Sequence, residues 1–131
     1  MFSLKNVAIF VDHMEFTDHH HPSNQYKLSP SLSRNIEKIE NAKYHTSISI
    51  IFGNKSPDSG PFYLHAIIKG VFEFNEIETE EEVMKFMKLQ AVHILYPYLR
   101  SLVTNIMTTA LKTPLVLPVI DASRLFPEDR N

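Results

Sequence analysis

The chain has 131 residues, no cysteine, three glycines and a formal net charge of −2 at neutral pH. That length suits one domain, 1–131, with its own core, and the lack of cysteine excludes disulfides and thiolate metal sites while being compatible with a reducing cytoplasm. The near-neutral charge leaves no electrostatic footprint for nucleic acid, and none of Gly53, Gly60 and Gly70 belongs to a phosphate-cradling loop.

The opening apolar run is broken by Asp12 and lacks a small-residue cleavage site. It is too short to cross a bilayer, so no membrane insertion is expected and it reads as a strand. In "NVAIFVDHMEF" (Asn6–Phe16), simple alternation puts Ala8, Phe10, Met14 and Phe16 on one face and Val7, Ile9 and Val11 on the other. Both faces are apolar at its start, which predicts cover on both sides. A polar loop with Pro22 follows, and then "QYKLSPSL", a short strand with Tyr26 and Leu28 on one face and Pro30 confining it to an edge.

The next stretch is ambiguous, since Ile36 and Ile39 fit a helical turn as easily as an extended crossover. From Tyr44 the pattern is clear. Tyr44, Thr46, Ile48, Ile50 and Phe52 alternate with polar residues, and Phe62, Leu64, Ala66, Ile68, Phe72 and Phe74 repeat that period beyond a breaker-rich turn. This predicts an antiparallel hairpin over Tyr44–Phe74.

Helices come next. Thr79 is a candidate N-cap with Glu82 three residues on, and Val83, Phe86, Met87 and Gln90 follow at helical spacing. In a second, longer pattern Leu95, Leu99, Leu102, Ile106 and Ala110 form one stripe, and Tyr96, Val103 and Met107 form another beside it. A helix apolar over that much of its circumference needs cover from two directions. The sheet supplies one and a partner subunit the other, so Tyr96, Leu99, Val103, Ile106, Met107 and Ala110 are the candidate oligomer interface. Pro97 reads as a boundary, with the long helix starting near Tyr96 and proline in its first turn. Pro114 and Pro118 rule out regular helix in "LKTPLVLPVID".

Chemistry-bearing clusters are sparse. His19–His21 reads as a solvated loop, because a metal site needs ligands from separated segments held by further hydrogen bonds. His45, His65 and His93 are scattered with nothing to make them converge, and Glu76–Glu82 complements a helix N-terminus. No catalytic motif, metal site or cofactor site is expected, and the chain reads as a non-enzyme. Its distinctive feature is surplus apolar surface, which marks interaction sites.

The last third resembles the SecB family of protein-export chaperones. Tyr96, Pro97, Tyr98 and Arg100 fit that family's aromatic–Pro–Tyr–x–Arg run. Leu117, Pro118, Val119, Asp121, Leu125 and Phe126 fit its Leu–Pro–Val segment, acidic residue and closing Leu–aromatic pair, and "KGVFEF" (Lys69–Phe74) fits its last strand. The resemblance implies an α+β fold, a four-stranded antiparallel sheet with a long helix packed on it. It also implies a cytoplasmic homo-oligomer, a dimer of dimers, that holds unfolded polypeptides in apolar grooves without ATP. Implied partners are unfolded clients, the SecA motor or, in toxin–antitoxin relatives, an antitoxin; an adaptor binding one partner is the alternative. Groove positions carried over are Tyr26, Leu28, Pro118, Val119, Ile120, Leu125 and Phe126. The motor-binding face, acidic in that family, aligns here with Tyr63 and His65.

Overall fold

The computed structural model describes residues 4–20, 30–75, 79–110, 112 and 126. Strands β1 (Leu4–Asp18), β2 (Ser31–Glu40), β3 (Lys43–Phe52) and β4 (Phe62–Phe74) form one antiparallel sheet in the order β1–β4–β3–β2. Helices α1 (Glu80–Lys88) and α2 (Gln90–Thr109) follow in the chain and share the core of one sheet face. This is the α+β arrangement that the residues and the resemblance predict.

The β3–β4 hairpin carries the core as its period of two requires. Ile48 faces Ile68, Ile50 faces Ala66 and Phe52 faces Leu64, all of them buried. Gly53 closes the turn at φ +67°, where an added Cβ would stand 2.5 Å from the Phe62 carbonyl oxygen. At Gly70 the missing side chain lets α2 lie close, since a Cβ there would meet Leu95 Cδ2 at 2.9 Å.

The ambiguous stretch before the hairpin is strand β2. Leu32, Arg34 and Ile36 turn toward the helices in alternation, and a tight turn with Ala42 at φ +61° returns the chain into β3. Pairing with β3 settles what local pattern leaves open, because an extended Ile36 packs against the core.

Two expectations are corrected. The faces of β1 are not those of simple alternation, because the pairing with β4 slips by one residue between Val11 and His13. A bulge turns the rest of the strand over. Val7, Ile9, Val11, Met14 and Phe16 therefore share the helix side, while Ala8, Phe10, His13 and Glu15 share the open side. Nor does the chain cover β1 on both sides, since Val7, Phe10, Val11 and Met14 are all exposed.

The second correction concerns Pro97. The break between helices falls at Leu89, and α2 runs unbroken through Pro97, which sits inside it. Leu89 carries the junction, its N–H donating to the Lys85 carbonyl while its own carbonyl accepts from the His93 N–H at 2.9 Å. Proline at position 97 deprives the His93 carbonyl of its helical donor. Both residues are exposed, so water can serve that carbonyl and the helix need not break. Thr79 caps α1 as predicted, its Oγ1 accepting from the Glu82 N–H at 3.2 Å.

Candidate functional site

Helix α2 buries Ala91, Val92, Leu95, Tyr96, Leu99, Val103 and Met107 in the core. Leu102, Ile106 and the capping Ala110, from the same stripe as Leu95 and Leu99, are only half-buried. Across from them stand Met14 and Phe16 of β1, brought to the helix side by the bulge. Together with Thr109, Asn105 and Glu15 these residues line an apolar trough of about 390 Å³. Met14 is 62% exposed, so the wall it forms is open to solvent.

Just beyond the trough, Lys112 Nζ meets Asp18 Oδ2 at 2.6 Å and ties the end of β1 to the residues after α2. That bond, with the His20 N–H donating to the same carboxylate, holds Asp18 below the usual aspartate range. The tie links the two walls at one end.

The residues predicted to act together are distributed differently. Tyr26, Leu28, Pro118, Val119, Ile120 and Leu125 lie outside the described residues. Phe126 is buried in the core, with the Arg34 guanidinium 4.6 Å above its ring. Of the six candidate interface residues, Tyr96, Leu99, Val103 and Met107 are buried in the chain's own core, and Ile106 and Ala110 line the trough. Their half-buried neighbour Leu102 belongs with the latter pair. No periodicity in the sequence could join Met14 to Ile106, because the junction depends on the bulge in β1.

The open face of the sheet carries a polar cluster that sequence reasoning missed. Glu15 faces His65 across the ladder, and the His13 and His65 ring centroids are 4.9 Å apart. His13 Nε2 lies 3.2 Å from Glu15 Oε1, and the Tyr63 hydroxyl donates to the same oxygen at 3.4 Å. The hydrogen bond with His13 holds the Glu15 carboxyl below its usual range, with Lys55 adding to the effect. Burial, then the neighbouring His13, pushes the His65 imidazole down from its ordinary 6.5. Among the described residues no helix is long and apolar enough to cross a membrane.

Comparison with known proteins agrees with this architecture. An uncharacterised protein of Methanocaldococcus jannaschii is 32% identical over 126 residues, covering 92% of this chain and 81% of that protein. The fold matches that of the Mycobacterium tuberculosis SecB-like chaperone Rv1957, solved in complex with a peptide from the HigA1 antitoxin. That match has a TM-score of 0.70 and 16% identity and covers 92% of this chain and 91% of the other. The sequence model of the preprotein translocase subunit SecB matches residues 7–131. The chain belongs to the SecB family.

Proposed function

We propose that this protein is a holding chaperone, without enzymatic activity, that binds non-native polypeptide independently of ATP. The observation that carries the reading is the trough, a solvent-open apolar wall between β1 and α2 in a member of the SecB family. Apolar burial is worth roughly 25 cal/mol per Å². One short trough therefore holds a disordered client only if several such contacts act together, each offsetting part of the ordering entropy. Assembly into a homo-oligomer, a dimer of dimers, would multiply them, and the exposed edge of β1 supports such pairing. Tyr26, Leu28, Pro118, Val119, Ile120 and Leu125 remain groove positions of the proposal through the family resemblance. Phe126 is buried under Arg34 of β2, at the sheet edge opposite the trough, and would serve the core and not the trough wall.

The test is suppression of aggregation of a reduced, unfolded client by the wild type and by a Met14→Asp/Ile106→Asp variant. Protection should fall at least several-fold while helical content is kept. Equal protection by a folded double variant would remove the trough from the mechanism.

A second reading is favoured by the structural neighbour, which holds an antitoxin peptide. On that reading the chain guards one dedicated client in the cytoplasm and does not serve export through SecA. Tyr63 and His65, where the family's acidic motor-binding positions align, support the dedicated role. Capture of many unfolded proteins would favour general holding, and capture of a single partner the dedicated form.

A further inference from the structure

The His13, Glu15 and His65 cluster is built from two strands, and neither strand carries it alone. The bulge after Val11 turns His13 and Glu15 to the open face, where His65 of β4 already points. One ligand atom from each side chain lies within 4.8 Å of those of the other two. We propose that these three residues bind a divalent transition-metal ion of the zinc class.

The donor set selects the ion. Two imidazoles and one carboxylate suit zinc, nickel or copper, whereas magnesium and calcium take oxygen ligands. Bonds of about 2.0–2.2 Å in a tetrahedral site place ligand atoms roughly 3.3–3.6 Å apart, so the widest separation in the cluster must shrink by roughly 1.2–1.5 Å. The His13 side chain, 43% exposed, is free to turn inward. The other two ligands are already held. Ser49 Oγ is 3.0 Å from His65 Nε2, and Tyr63 donates to Glu15, the kind of outer hydrogen bonds that orient metal ligands.

One group opposes the site. Lys55 Nζ stands 3.8 Å from Glu15 Oε2, but this side chain is 79% exposed and can swing into solvent. Three protein ligands leave a fourth position for water or for a donor from another chain. Glu15 also borders the trough, but His13 and His65 do not, so changes at the two histidines test the metal site apart from the holding activity.

The experiment is calorimetric titration of the untagged protein with zinc chloride and nickel chloride near neutral pH. One saturable equivalent is expected, weakened at least tenfold, roughly, by His13→Ala, His65→Ala or Glu15→Gln, and about tenfold by Ser49→Ala. Changing His19, His20 and His21 together to asparagine should leave it unchanged. Because His13 is on an exposed side chain, its variant keeps the test sound if the His65 variant fails to fold. Binding that survives His13→Ala but is lost in the triple variant would overturn the proposal, as would no saturable binding.

Discussion

Strand β2 finishes its side of the sheet with polar ties, whereas β1, on the opposite edge, exposes Val7, Phe10, Val11 and Met14. Arg34 of β2 donates to the Lys88 carbonyl at the end of α1 at 3.0 Å, and Lys38 reaches Glu80 in that helix's first turn at 2.7 Å. One edge strand thus holds a helix at both ends, satisfying a terminal carbonyl at one and complementing the helix dipole at the other. Nothing comparable covers β1 among the described residues. An apolar open edge is a template for pairing, and proteins that do not use such an edge usually blunt it with charge. The difference teaches that, among the described residues, β2 is tied to both ends of a helix and β1 is left open.

The comparison is broken most directly by charging each edge in turn. Phe10→Lys with Val11→Lys should dissociate the proposed oligomer, raising its dissociation constant at least 100-fold, on the order expected for buried unpaired charges. Circular dichroism of the protomer should stay unchanged. Ile39→Lys on β2, exposed in the same way, should leave the mass in solution as it was. If light scattering gives the same mass for the β1 variant and the wild type, β1 is not the assembling edge.

The two edges also differ in how far the sequence disclosed them. The β3–β4 hairpin and the Thr79 cap are legible because each rests on local chemistry: a strict period of two, and a threonine hydroxyl three residues ahead of the N–H it accepts. β2 is not, because Ile36 and Ile39 satisfy two periods and only pairing with β3 decides between them. β1 misleads for another reason. A single inserted residue near Asp12 reverses the faces of everything after it, and with them the places of Met14, Phe16, His13 and Glu15. Both the trough and the histidine cluster follow from that slip, so neither could be read from alternation. Pro97 misled by a sound rule with an exposed exception, since His93, whose carbonyl loses its donor, is an exposed residue that water can reach.

A smaller effect sharpens the account of β2. Removing the guanidinium by Arg34→Ala strips a donor from the α1 terminus and a cation from the face of Phe126. The expected loss is about 2 kcal/mol in urea unfolding, combining a hydrogen bond with a cation–π contact. Arg34→Lys should recover only part of it, because an ammonium cannot stack as a plane while donating along its edge. A loss under about 0.5 kcal/mol would mean that β2 is held by its strand pairing alone.

The smallest effect belongs to the shortest contact on that edge. Lys38 and Glu80 are 2.7 Å apart, yet both side chains are largely in water, where screening and side-chain entropy cancel most of the attraction. The hydrogen bond from Lys38, then its charge, holds the Glu80 carboxyl below the ordinary 4.5, and Glu80 in turn holds Lys38 above 10.5. The signs follow from linkage. Glu80 contributes stability that is present above pH 4.5 and is lost as pH falls through its lowered folded value. Lys38 contributes stability that is present below pH 10.5 and is lost as pH rises through its raised one. Between those limits Lys38→Gln, Glu80→Gln and the double change should each shift the urea midpoint slightly. The coupling between them should vanish in molar salt and in acid. A coupling that outlasts molar salt and yet is lost in acid would make the ion pair, and not Arg34, the tie that finishes the β2 edge, since only a desolvated pair escapes screening.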